Sequence, residues 1–306
     1  MPRIKKAKRH RNQVPLLFST DIAGIFALNP QLFYQLIQTL SADCCHIDGV
    51  EFLPFRFSYH RVQQALNKSS IPIVGIHGPV ALNTPDRNLL EKIYLSPFSG
   101  IMPSLKTTLK LTAKIKPSYL LFHEPDLDQC CFTQQLASYL KQGSTPTILL
   151  ENVYRPNSLQ ISVNKAKRLL NQTQAGIMID LVHLLNEIME SFSYFSNYHR
   201  QINPKNIDEY WLKMLIAMDK ALGQIPVAGL HIPIGTNRDS LPWELITTQH
   251  WQKLAELLDK HQNRLIALTL ENQHLETTFS MNKKQLQTII KDKKKKIKTL
   301  LQTRVL

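Results

Sequence analysis

With 306 residues, 43% of them hydrophobic and 20% charged, the chain can bury one large core. Ten glycines exclude a collagen-like repeat, and four cysteines, arranged as the adjacent pairs Cys44-Cys45 and Cys130-Cys131, form neither a disulfide framework nor zinc-ribbon spacing. The net charge of +14 lies at the two ends, because residues 13–282 hold equal numbers of basic and acidic side chains.

Residues 1–14 open the chain with Arg3, Lys5, Lys6, Lys8, Arg9 and Arg11 and no acid, and are expected to form a basic disordered tail. Gln13 and the polar run Ser19-Thr20-Asp21 interrupt any signal-peptide core. No stretch holds the roughly 20 apolar residues of a membrane helix, so a cytoplasmic chain with reduced thiols is expected. Short apolar runs then alternate with helical patterns. The runs predict strands at Pro15–Thr20, His46–Leu53, Ile71–Ile76, Ser118–Phe122, Thr147–Leu150, Gly176–Ile179, Val227–Leu230 and Leu265–Leu270. Apolar spacings of three and four predict helices at Gln31–Leu40, Leu105–Ile115, Ser158–Leu170, Ile207–Leu222 and Trp243–Lys260. Eight strands alternating with helices in residues 15–282 predict an α/β chain with a single (β/α)8 TIM barrel. A doubly wound open sheet is the competing arrangement, yet no glycine-rich turn follows the first strand. Residues 283–306 are rich in lysine. Leu286, Ile289, Ile290, Ile297, Leu300 and Leu301 have helical spacing there, which suits the last barrel helix better than a basic amphipathic appendage.

The carboxyl ends of the predicted strands carry the chemistry. They read Gly75-Ile76-His77-Gly78-Pro79, His123-Glu124-Pro125, Glu151-Asn152, Asp180-Leu181-Val182-His183, His231-Ile232-Pro233 and Glu271-Asn272. In a barrel these positions share one face, where catalytic groups gather. Carboxylates packed so closely repel one another unless a cation lies among them, and imidazole with carboxylate donors suits Zn²⁺, Mn²⁺, Co²⁺ or Fe²⁺. Glu51, at the end of the second strand, is a further substrate-binding candidate lining the pocket, with helix capping or a salt bridge as the alternative roles.

This order of motifs resembles the xylose isomerase-like barrel superfamily, which includes endonuclease IV and the ketose 3-epimerases. The resemblance runs from about Leu16 to Glu271. It implies a shared metal site at Glu151, Asp180, His231 and Glu271, and, in the endonuclease IV branch, a second metal held by His77, His123 and Glu151. That branch also has an Asp-x-His after the seventh strand. Here Asp239 is followed by Ser240 and Leu241, so one ligand of a third site is lacking. The segment from His231 to Arg238 is similar instead to the epimerase branch, which implies substrate contacts for His183 and Arg238.

The expected function is a divalent-metal-dependent isomerase or epimerase with one or two ions, acting on a small carbohydrate-type substrate. Glu151 and Glu271 are expected to be ligands and also the base and acid that move a proton beside a carbonyl. The alternatives are an endonuclease IV-like phosphodiesterase on abasic DNA, with nucleic acid held through the basic ends, and a non-catalytic or iron-dependent oxidase barrel.

Overall fold

A computed structural model describes residues 14–19, 38–39, 45–53, 71–78, 105–128, 130–140, 146–190, 202–235, 241–271 and 283–306. Eight parallel strands close into a barrel in chain order: β1 (Leu16–Ser19), β2 (Gly49–Phe52), β3 (Ile73–His77), β4 (Tyr119–His123), β5 (Thr147–Glu151), β6 (Ala175–Asp180), β7 (Ala228–Pro233) and β8 (Leu265–Glu271). Leu16 pairs with Leu268, which joins β1 to β8 and leaves no open edge. The helices described are α1 (Leu105–Ile115), α2 (Cys130–Leu140), α3 (Ser158–Leu169), α4 (Leu181–Ile188), α5 (Ile207–Gln224), α6 (Thr248–Lys260) and α7 (Lys283–Gln302).

From the third on, the six predicted strands stop at an apolar residue, but backbone pairing carries each of them further, while the first two end within their predicted bounds. His123 pairs with Glu151, Asp180 with His231, and Pro233 with Glu271. The ionisable side chains therefore stand on the sheet itself. The predicted start of a helix at Trp243 is corrected to Thr248. Trp243 N–H bonds the Leu241 carbonyl in a turn, and Thr247 caps the helix that follows, with its N–H donated to His250 Nδ1 at 3.0 Å. The expected basic tail and most of the expected helix Gln31–Leu40 lie outside the described residues.

Strand alternation divides the core into two. Leu16, Phe18, Leu120, Phe122, Ile148, Leu150, Ile177 and Leu230 pack outward with Leu159, Trp211, Met214, Leu254 and other helix residues. Leu17, Tyr119, Leu121, Leu149, Met178 and Ala267 form a separate cluster inside the ring. The inner series continues in steps of two, from Leu121 to His123, Leu149 to Glu151, Met178 to Asp180 and Ala267 through Thr269 to Glu271. The same periodicity that fills the barrel thus aims these ionisable side chains inward.

In α7, Ile297 and Leu300 join the outer core, as does Val305 just beyond it. Lys296 Nζ donates to the Gly235 carbonyl at 2.6 Å, pairs with Asp292 at 2.9 Å and lies 5.5 Å from the Trp243 ring centre. The lysine-rich helix thus grips the turn just after β7. Each buried aliphatic side chain of this kind is worth about 1.5–3 kcal/mol, against a total stability of about 5–15 kcal/mol. Deleting residues 283–306 is expected to yield insoluble protein or a melting temperature lower by many degrees. Undiminished solubility and melting temperature would show that the core closes without this helix.

Candidate metal centre

Two groups of donor atoms, each within 4.8 Å of one another, converge at the carboxyl end of the barrel. One is His77, His123 and Glu151; the other is Glu151, Asp180, His231 and Glu271. These are the six expected ligands, and Glu151 belongs to both groups. Its Oε2 lies 3.2 Å from His77 Nε2 and 3.3 Å from His123 Nε2, and its Oε1 lies 3.0 Å from His231 Nδ1. Glu271 Oε1 is 2.9 Å from the same Nδ1. The rings of His77 and His123 meet edge to face, with centres 5.0 Å apart.

Asp180 ends β6 and begins α4. Its Oδ1 caps the helix by accepting the His183 N–H at 2.8 Å, which leaves Oδ2 for a ligand. Asn152 ties this residue to β5. The Asn152 amide accepts from Asp180 N at 2.9 Å and donates to the Asp180 carbonyl at 3.2 Å. His183 Nδ1 bonds the Asn152 carbonyl at 2.6 Å, and its ring packs on Tyr154 with centres 4.1 Å apart. A carbonyl only accepts, so Nδ1 carries the proton and Nε2 keeps its lone pair. His183 is half-buried beside the mouth and belongs to neither donor group. Arg238 and Asp239 lie outside the described residues.

Glu51, expected to line the pocket, is fully buried, and the salt-bridging role weighed for it matches the geometry: its Oε2 lies 3.1 Å from His231 Nε2. Tyr119 and Thr269 hydroxyls also reach Glu51 Oε2, at 2.6 and 3.5 Å. Sequence reasoning misses Tyr119 and Thr269. A tyrosine four residues before His123 on an otherwise apolar strand is the available signal, because i and i+4 share a strand face.

Burial penalises every charge here, yet the charges compensate one another. For Glu151, burial opposes ionisation, but His231 and the hydrogen bonds from His123, His231 and His77 hold its carboxyl well below the usual range. For His231, burial disfavours the proton, but Glu271, Glu51 and Glu151 together raise it well above the ordinary imidazole value. His77 is raised as well, since the bond to Glu151 and the charges of Glu151 and Glu51 outweigh its burial. A divalent cation fits this donor set: three buried carboxylates, Glu151, Asp180 and Glu271, converge with the imidazole nitrogens of His77, His123 and His231, so positive charge is required among them. The described residues thus provide a site for a divalent metal in general.

No family model matches the chain, and no curated protein matches it. Among solved structures, a dihydropteroate synthase from Thermus thermophilus in complex with 6HMPPP is similar at a TM-score of 0.46 and 10% identity, over 94% of this chain and 92% of that one. An amidohydrolase from Burkholderia multivorans with bound zinc is similar at a TM-score of 0.40 and 9% identity, over 87% of this chain and 81% of that one. Likeness at these scores carries no argument about chemistry. The barrel stands on its own strand pairing.

Proposed function

We propose that the chain is a divalent-metal-dependent enzyme of the xylose isomerase-like superfamily, acting as a phosphoester hydrolase at the carboxyl end of the barrel. The observation that supports this most is the double engagement of Glu151, with Oε1 facing His231 at 3.0 Å and Oε2 facing His77 and His123 at 3.2 and 3.3 Å. A carboxylate with both oxygens engaged would suit a ligand shared by the two donor groups. Bound Zn²⁺, Mn²⁺, Co²⁺ or Fe²⁺ supplies Lewis-acid polarisation and makes water nucleophilic at neutral pH. Asp180, His231 and Glu271 would hold one ion with Glu151, and His77 and His123 would hold the other. His183 offers its Nε2 lone pair to a substrate hydroxyl, and Arg238 neutralises phosphate oxygens.

A second reading, the isomerase or epimerase, has its own support. The group of Glu151, Asp180, His231 and Glu271 is complete without the histidine pair, and Glu151 and Glu271 lie 3.0 and 2.9 Å from His231 Nδ1. There the two glutamates move the proton, and the substrate is a small ketose. Abasic duplex DNA is the narrower substrate of the first reading. Its phosphates are left to the basic ends, because residues 13–282 are formally neutral.

Metal analysis followed by assays on phosphate diesters, abasic duplex and ketoses separates the readings. Two ions with phosphoester turnover supports the first, and one ion with ketose interconversion replaces it with the second. Oxygen uptake by iron-loaded protein would favour the oxidase. Glu271→Gln is expected to lower turnover by more than about 100-fold with the fold retained. Full turnover in that variant would remove Glu271 from the mechanism.

A further inference from the structure

We infer that Glu51 is the positioning residue for His231: its carboxylate accepts a hydrogen bond from Nε2–H and so leaves the Nδ1 lone pair facing the cation. The inference rests on the metal-dependent reading above and concerns a residue in neither donor group. Glu51 is fully buried inside the ring, with Oε2 at 3.1 Å from His231 Nε2. The opposite nitrogen of that imidazole, Nδ1, sits 3.0 Å from Glu151 and 2.9 Å from Glu271, within the donor set. A ring that donates from Nε2 to a carboxylate has one tautomer and one orientation, and its other nitrogen is more electron-rich.

The surroundings serve the carboxylate rather than the reverse. Tyr119, on β4, reaches it with a hydroxyl bond of 2.6 Å, and Thr269, on β8, adds a longer one of 3.5 Å. A Cβ at position 75 would lie 2.1 Å from Tyr119 Cζ and 2.5 Å from its hydroxyl, so β3 must carry glycine for the tyrosine to reach across. Glu51 Oε1 has no hydrogen-bond partner among the described residues. Burying a charge in this half-satisfied state costs several kcal/mol in general, and a hydrocarbon of similar size would avoid it. What hydrocarbon cannot do is orient an imidazole.

Co²⁺ is the probe. Its binding to the full-length wild type, Glu51→Gln and Tyr119→Phe is followed by calorimetry and by the visible absorption band, alongside melting temperatures without cation. Glu51→Gln is expected to weaken Co²⁺ binding about 10- to 100-fold and to shift the band. Tyr119→Phe is expected to weaken it about five-fold, through the loss of one hydrogen bond to the carboxylate. A merely structural role predicts a lower melting temperature with unchanged Co²⁺ affinity and band, and that result in Glu51→Gln overturns the inference. Should Glu51→Gln not fold, unchanged affinity in Tyr119→Phe overturns it. A wild type that takes up no Co²⁺ sinks the metal-dependent reading and this inference with it, an outcome distinct from equal binding by wild type and variant.

Discussion

Glu151→Gln is expected to strip metal from both donor groups at once and to abolish turnover. No other residue is shared by the two groups, so no other single ligand change should do this. The substitution keeps the shape and one acceptor oxygen but removes the charge that faces three histidines. His77, His123 and His231 lie 3.2, 3.3 and 3.0 Å from it, and Glu151 itself is buried. Removing one partner from a buried charge pair costs about 3–5 kcal/mol, so the cation-free variant should also melt lower. By contrast His123→Ala should affect only the group of His77, His123 and Glu151, and Glu271→Gln only the other. Elemental analysis of the three purified proteins reads the pattern. A Glu151→Gln protein with a full complement of metal would remove Glu151 from the ligands of both groups.

Acidification is expected to expel the cation. His231 is protonated readily because Glu271, Glu51 and Glu151 outweigh the penalty of its burial, and a ligand nitrogen must give up that proton when metal binds. One proton released per ion makes affinity fall about tenfold for each pH unit lowered, and more steeply if His77 also releases one. Calorimetry in two buffers of different ionisation enthalpy counts the protons. Affinity that does not change between pH 6 and pH 8 would show that the histidines are not ligands.

The cation-free protein follows a different pH course. The raised His231 contributes stability that is complete below the ordinary imidazole value and lost as pH climbs through its raised one. The depressed Glu151 contributes stability present above the ordinary carboxylate range and lost as pH falls through its depressed value. Stability without metal is therefore greatest in mildly acidic solution, where metal binds less well. A cation at 100 times its Kd adds about 2.7 kcal/mol. The rise in melting temperature that a chelator reverses should thus be larger at pH 8 than at pH 6.

Much of this protein can be read from its residues in order. The strands are apolar runs mostly buried on both faces, and an ionisable residue ends six of them, so six candidate donors on six strands are visible as letters. The rhythm of strands and helices is local and follows from hydrophobic spacing. Helix α4 is hard to read from the sequence because its cap is also a strand end: Asp180 ends an apolar strand and caps the helix in the same position.

What pairs with what was decided only by closure of the ring. Glu51 lies 180 positions from His231 in sequence, and no local pattern says that its carboxylate faces Nε2 rather than the mouth. That orientation follows from the parallel register, which sets Glu51 beside Gly75 and Asp180 beside His231, and from the room that Gly75 leaves for Tyr119. The division of Glu151 between two groups has the same origin. Side-chain alternation aims it inward, but only the curvature of eight paired strands brings His77 and His123 to one oxygen and His231 to the other. Residue chemistry is written position by position. The distances that make it a site arise from long-range packing, which no short window of sequence contains.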